Sequence, residues 1–494
     1  MNALELAALV LAAVGPLLAL AKLTGVPQLF VLVGAGLGSA FLPGVPPVRV
    51  DPQFLLTLFL PPLVYASTVQ VSVHLLRFAL LSGVLVGALV SASTILAVAV
   101  ASRWLLPGLG WAPALLLGVV SAVFDTRLFQ EAKGRPRVPR AVADALKARE
   151  MASRVVALST LALVASSLET GPPEFLAGTG RVLWSVGAGA ALGVAVARAL
   201  MWLRARVEPA PVEIAVSIAT PYLCSVGARW LGLSVVVALT AAALTVATVR
   251  VDRETGAPNT SSESRITAVA FWEEVSLLVS SVMFFLAGRA LPEAMAGLDD
   301  WGPWRTAGAA AALLVVVLLV QFAFSYASTA LPPLAAAVRA RRDAGGGEGT
   351  RAAAAAVMAW ACSRSVLGLV VALSLPPSLE HRGLVLVVAA LLILGSVLLQ
   401  GLTLRPAVGA AALGEEAEEK REEELATRAA RDAAEEAGDG EDGLCAARRS
   451  LLELRETDRI GDEVLRKMLR EADLKARAAE GPAAALPGAA PPNP

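Results

Sequence analysis

The stretch that decides the fold is residues 358–376, which run MAWACSRSVLGLVVALSLP. Arg364 stands in the middle of this apolar run, and no acidic residue lies near it in sequence. By insertion scales, a charge at the centre of a membrane helix costs about 2.5–3.5 kcal/mol, so such residues usually face the protein interior. The stretch therefore predicts a spanning helix whose arginine meets a partner on another helix.

The rest of the chain has the composition of a membrane protein. Hydrophobic residues make up 56% of it, charged residues 17%, and the mean hydropathy is +0.66. Apolar stretches near the ~20 residues that a helix needs to cross a bilayer alternate with short charged loops. They predict an all-α polytopic membrane helix bundle of about thirteen spanning helices, at roughly 3–21, 27–42, 52–69, 75–102, 111–129, 142–168, 175–203, 210–227, 231–249, 265–291, 304–331, 352–375 and 382–404.

The loops also predict an orientation. Roughly eighteen lysines and arginines lie on one side of the bundle against six on the other, which is the positive-inside pattern. With an odd number of helices, this places the N-terminus outside and the tail in the cytoplasm. We expect residues 1–406 to form a multi-pass domain in the lipid bilayer of the cell (inner) membrane, and residues 407–494 a charged, helical cytoplasmic tail with a disordered end.

Several functions find no support in the sequence. Cys224, Cys362 and Cys445 lack ligand spacing, and His74 and His381 are far apart, so we expect no metal site and no histidine-based catalysis. The net charge is zero and no basic patch alternates with aromatic residues, so we expect no nucleic-acid partner. The protein is predicted to be no enzyme and to carry no cofactor.

Candidate site residues are the charges inside the predicted spans. Asp125 follows roughly a dozen mostly apolar residues, so it lies either near mid-membrane or at an interface where the helix has already ended. Glu150 and Arg154 stand one turn apart, as a functional pair or as an ordinary ion pair at a helix end. Glu273 and Ser280 in the tenth segment are supporting candidates.

Five stretches of the chain form a recognisable series, namely LPPLVYAS at 60–67, LLPGLGWAPALLLG at 105–118, FWE at 271–273, the run from Trp360 through Arg364 to Pro376, and RIGDEVLR with LREADL at 459–474. In this order and spacing, the series resembles the bacterial sodium/proton antiporters of the monovalent cation:proton antiporter family. The resemblance implies exchange of Na⁺ or K⁺ for protons by a homodimer with elevator-like alternating access. It also implies two inverted repeats, whose unwound fifth and twelfth helices cross and present partial charges to an ion.

The ion site departs from the family pattern. Where the family's fifth helix carries Thr-Asp-Pro, this chain has Phe124, Asp125 and Thr126, and by its spacing Gln321 replaces an arginine of the eleventh helix. The family's sixth helix carries Gly-Glu-Ser and then Asn-Asp, whose Asp binds the cation and the proton.

The sixth helix can be aligned with the family in two registers. In one, Ser153 and Arg154 align with Asn-Asp. In the other, Glu150 aligns with the family's Glu, and Arg154 and Val155 align with Asn-Asp. In both registers the binding carboxylate is replaced. Asp125 and Glu150 then balance Arg154 and Arg364 with no ion bound, and a guanidinium cannot lose its proton to make room. Two functions are predicted: a cation/proton antiporter with an altered site, or a transport-inactive relative that acts as a membrane sensor or interaction partner through its tail.

Overall fold

The computed structural model describes residues 3–42, 52–69, 80–126, 140–170, 175–204, 206, 210–248, 262–296, 298, 301–331, 334–341, 350–376, 379–411, 416–438, 441–457, 459–461, 464–465, 467–472 and 474. The helices are α1 (Ala3–Thr24), α2 (Gln28–Ser39), α3 (Pro52–Leu58), α4 (Leu60–Thr68), a π-helix (Leu80–Leu85) continued by α5 (Val86–Leu105), α6 (Trp111–Ala122), α7 (Arg140–Thr170), α8 (Phe175–Arg204), α9 (Ala210–Trp230), α10 (Val235–Thr248), α11 (Ser262–Ala296), α12 (Pro303–Ser328), α13 (Leu334–Arg341), α14 (Thr350–Trp360), α15 (Val366–Leu373), α16 (Arg382–Ala411), α17 (Glu416–Ala437) and α18 (Glu441–Glu456). Two short strands, β1 (Phe124–Asp125) and β2 (Ser363–Arg364), interrupt the helices.

Wherever the structure describes a predicted spanning segment, that segment is helical, apart from local breaks. The third segment divides at Phe59, just before Pro61 and Pro62 open α4, because proline fits only the first turn of a helix. By length and composition, five helices of the described residues can cross a membrane, namely Gly83–Leu105, Trp184–Arg204, Ala270–Ala296, Pro303–Ser328 and Arg382–Leu404. The predicted fold class, a polytopic all-α membrane bundle, is confirmed.

The fifth and twelfth segments break where they meet. Helix α6 ends at Ala122, and β1 pairs antiparallel with β2, with Phe124 opposite Arg364 and Asp125 opposite Ser363. Ser365 then starts α15, because its hydroxyl accepts the N–H of Leu367 at 3.2 Å. We call residues 123–125 and 362–365 the crossing, and it matches the crossed unwound helices implied by the resemblance.

A distinct apolar cluster packs around the first turns of α7. We call it the end cluster, and its buried members are Phe124, Val142, Ala145, Leu146, Leu334, Val338, Ala354, Val357, Met358, Ala361, Cys362, Leu404 and Val408. The cluster includes Phe124 of β1 and Cys362, which directly precedes β2, together with residues of the first turns of α7. The crossing and α7 therefore share one packed core.

Helices α17 and α18 form a separate hairpin, which we call the tail hairpin together with residues 459–474. Its apolar contacts involve Ala426, Leu451, Leu454, Ile460, Val464 and Leu465. The carboxylate of Glu422 accepts the N–H of Gly461 at 2.7 Å, and Lys467 lies 2.9 Å from Glu423. The predicted domain boundary at residue 406 falls inside α16 and stays a prediction, while the predicted disordered end (481–494) lies outside the described residues.

Candidate functional site

The crossing buries an acid between two broken helices. Asp125 is 8% exposed, and its main-chain carbonyl accepts the Ser363 hydroxyl at 3.1 Å. The helix has ended before Asp125, as one alternative had it, and the residue lies in the protein interior. A buried carboxylate beside unwound main chain offers the oxygen ligands that small hard cations take.

Arg364 is bound largely by main-chain oxygens. Its guanidinium donates to the carbonyls of Ser121, at the end of α6, and of Cys362, just beyond α14, the second at 2.7 Å. Each helix carboxyl end carries roughly half a negative elementary charge, so the two ends together offset the arginine. The guanidinium also lies 5.7 Å from the centre of the Phe124 ring, within cation–π range.

Gln321 of α12 completes the surroundings of Arg364. With its amide oriented to satisfy both groups, its oxygen accepts from the Arg364 guanidinium and its nitrogen donates to the Ala359 carbonyl at 3.1 Å. Gln321 of α12 thus contacts the arginine of the twelfth segment. A neutral acceptor here is compatible with a guanidinium neighbour, whereas a second guanidinium would repel it.

Glu150 of α7 is the hub of the polar contacts. One carboxylate oxygen accepts the hydroxyl of Thr126 at 2.6 Å and its N–H at 3.3 Å. The other oxygen accepts from Arg154, one turn later on the same helix. Arg154 is 5% exposed, and its second nitrogen donates to the Ser67 hydroxyl near the end of α4. These contacts tie α4, α7 and the residue after Asp125 together.

The remaining predicted residues differ in their placement. Ser153 is fully buried, and its hydroxyl donates to the Glu150 carbonyl at 2.9 Å. Ser280 is buried, with its hydroxyl 2.6 Å from the Ser276 carbonyl oxygen in the same helix. Glu273 is exposed, so the structure does not bring it into the buried site.

Sequence reasoning did not name Arg149 as a site residue, although it lies in the predicted sixth segment, 142–168. Arg149 is 2% exposed, and its guanidinium donates to the Ser325 hydroxyl at 3.0 Å and to that of Ser328, at the end of α12. A side chain on Gly87 would place its Cβ 2.6 Å from the Arg149 Cα, so glycine is what lets α5 approach α7 this closely. The available signal was its position among the small apolar residues Ala145, Ala148 and Ala152, typical of a buried helix turn.

The charges of this buried region come close to balancing with no ion bound. Among the described residues, Glu150 pairs with Arg154, and helix carboxyl ends face Arg364. Arg149 lies at the carboxyl end of α12, which also carries about half a negative charge. The sequence-based count of two acids against two arginines therefore omitted one guanidinium and the helix ends that accompany it.

The geometry defines a class of membrane transporter, because broken helices that cross at buried charges are the site architecture of ion-coupled carriers. Among solved structures, the chain resembles the sodium proton antiporter MjNhaP1 from Methanocaldococcus jannaschii at pH 8, with a TM-score of 0.61, 14% identity, and coverage of 83% of this chain and 99% of that one. An electron-microscopy map of the same antiporter matches with a TM-score of 0.61 and 15% identity over 83% of this chain and 98% of that one. At this identity the likeness shows the fold.

Sequence comparisons give the family. The family model for the transmembrane part of sodium/hydrogen exchangers matches residues 9–410. Proteins named as uncharacterized Na⁺/H⁺ exchangers of Mycobacterium bovis and of Mycobacterium tuberculosis are 28% identical over 422 residues, covering 82% of this chain and 74% of each relative. The chain belongs to the sodium/hydrogen exchanger family.

Proposed function

We propose that this protein exchanges a monovalent cation, Na⁺ or K⁺, for protons across the cell membrane, at a site altered from the family pattern. The observation that carries the proposal is the convergence of Glu150 with Thr126, the neighbour of Asp125, at the crossing of the broken helices. Family membership supports the transport class. The two carboxylates are the groups through which a cation and a proton would compete.

Arg154 would set the terms of that competition. Its guanidinium already neutralises the carboxylate of Glu150. An incoming cation would therefore meet less negative charge here than in a site that keeps the family's sixth-helix Asp. Because arginine keeps its proton, the cation would have to displace the guanidinium, so we expect weak exchange. In this proposal Arg154 is a built-in stand-in for the transported cation.

The assembly and orientation belong to the same proposal. We infer a homodimer in the bilayer of the inner membrane, with the N-terminus outside and the tail in the cytoplasm. The asymmetry of lysine and arginine in the loops supports the orientation. Alternating access would move the crossing and α7 together, since they share the end cluster.

A transport-inactive role is the second candidate. The contact between Arg154 and Glu150 favours it, because a guanidinium fixed to the chain neutralises the Glu150 carboxylate without any transported cation. The protein would then act as a sensor or interaction partner through its tail.

Proton flux in proteoliposomes separates the two candidates. A pH-sensitive dye inside vesicles would report proton movement after addition of Na⁺, K⁺ or Li⁺, with choline as the control. Cation-dependent flux from purified protein supports exchange. Flux no greater than that of empty vesicles for all three cations would contradict it and favour the inactive reading.

A further inference from the structure

Two arginines of the tail hairpin are buried. Arg448 and Arg455 of α18 are each 2% exposed, and their spacing of two helical turns puts them on the same face of the helix. Arginine is almost never fully buried unless it is paired. That face of α18 is therefore covered by other parts of the protein.

One partner lies in the membrane bundle. A guanidinium nitrogen of Arg455 is 3.8 Å from a carboxylate oxygen of Asp144, and the two side chains are 3% and 17% exposed. Asp144 is in the second turn of α7, six residues before Glu150, which corresponds to about 9 Å along the helix axis. The tail thus contacts the helix that carries both Glu150 and Arg154.

The turns around Asp144 also pack on the crossing. Val142, Ala145 and Leu146 belong to the end cluster, together with Phe124 of one broken helix and Cys362 of the other. Close-packed interiors transmit a displacement and do not absorb it. A restraint on Asp144 therefore acts on α7 and on both strands of the crossing.

We propose that the tail hairpin docks on the start of α7 through Arg455 and Asp144, and that docking restrains the joint movement of α7 and the crossing. The hairpin acts as one unit, because its own apolar cluster and the Glu422 contact join α17 to the residues after α18. The effect on exchange rests on the proposed function, whereas docking and restraint do not depend on transport.

Charge exchange tests docking in the full-length protein. Arg455→Asp and Asp144→Arg each place like charges together, so digestion by proteinase K between α16 and α17 should become roughly tenfold faster, since cleavage follows the open population. The double variant restores opposite charges and should return to within about twofold of the parent protein. Arg431→Asp is the matched control, because its partner Glu435 lies in the same hairpin and both are exposed. Unchanged digestion of Arg455→Asp, or fast digestion of the double variant, would overturn docking.

Alkylation of Cys362 tests the restraint without any transport. In a background lacking Cys224 and Cys445, a membrane-permeable maleimide should label this crossing residue severalfold faster when Arg455→Asp frees the hairpin, and at the parent rate in the double variant. Equal labelling in all variants would overturn the restraint. If digestion and labelling respond as expected while none of the proteins moves protons, this inference stands and the proposed exchange fails.

Discussion

The guanidinium of Arg154 donates to the carboxylate of Glu150 one turn earlier on α7, and both residues are buried. The relation has a cost as well as a gain, because desolvating two charges offsets much of their attraction. In the proposed function, its main effect is that Glu150 already has a positive partner before a transported cation arrives.

Removing the guanidinium should expose that acid. We expect Arg154→Ala to lower the free energy of unfolding by roughly 3–5 kcal/mol in a cation-free buffer, because it leaves Glu150 buried without its ion partner. Addition of Na⁺ or K⁺ should recover part of the loss, measured as a rise in Tm relative to choline. Arg154→Ala with Glu150→Gln is the control, and its Tm should not depend on the cation; equal cation sensitivity in both proteins would contradict the stand-in role.

Reversing the charge at the same position should strengthen exchange. Arg154→Asp restores a carboxylate in one of the two registers that the sequence allows, and it removes the competing cation at the same time. We expect cation-driven proton flux to rise at least about tenfold over the parent protein, in keeping with a change of ~1.4 kcal/mol or more. Arg154→Asn, which removes the charge without adding an acid, is the comparison. A rise of the same size in both variants would show that the new carboxylate is not a ligand.

Asp125 should be required for whatever flux the parent protein shows. Asp125→Asn keeps the size of the side chain but removes the charge at the crossing, so we expect the flux to fall to that of empty vesicles. Glu273→Gln makes the same chemical change at an exposed position and should leave the flux unchanged. Robust flux in Asp125→Asn would remove this residue from the ion site.

Topology can be tested by cysteine accessibility in a protein without its native cysteines. An impermeant thiol reagent should reach cysteines at positions 262 and 346 from the cytoplasm and at position 300 from outside. The expectation follows from the loop charges and the odd number of predicted spans. Labelling of positions 300 and 346 from the same side would refute it.

The sequence was sufficient to predict the helices but not the contacts between distant segments at the candidate site. Hydropathy places spanning segments whose ends agree with the structure to within several residues, since each needs about 20 apolar residues to cross. The spacing of Glu150 and Arg154 likewise predicts their contact, because residues four apart share a helix face.

Contacts between distant segments were beyond such reasoning. No local pattern links Arg149 to Ser325 or Arg154 to Ser67, because the two residues of each pair are far apart in sequence and meet only in the folded bundle. Glu273 was a supporting candidate from its position in an apolar segment, and that pattern could not show that its side chain is exposed.

The way Arg364 is bound has a consequence for how this site can diverge among relatives. Its two carbonyl partners at Ser121 and Cys362 are main-chain atoms, present whatever side chain occupies those positions. Substitution of the neighbouring side chains leaves these two acceptors in place. The buried charge of Arg364 therefore does not depend on which side chains surround it, whereas the contact of Glu150 with Thr126 is lost when either side chain changes.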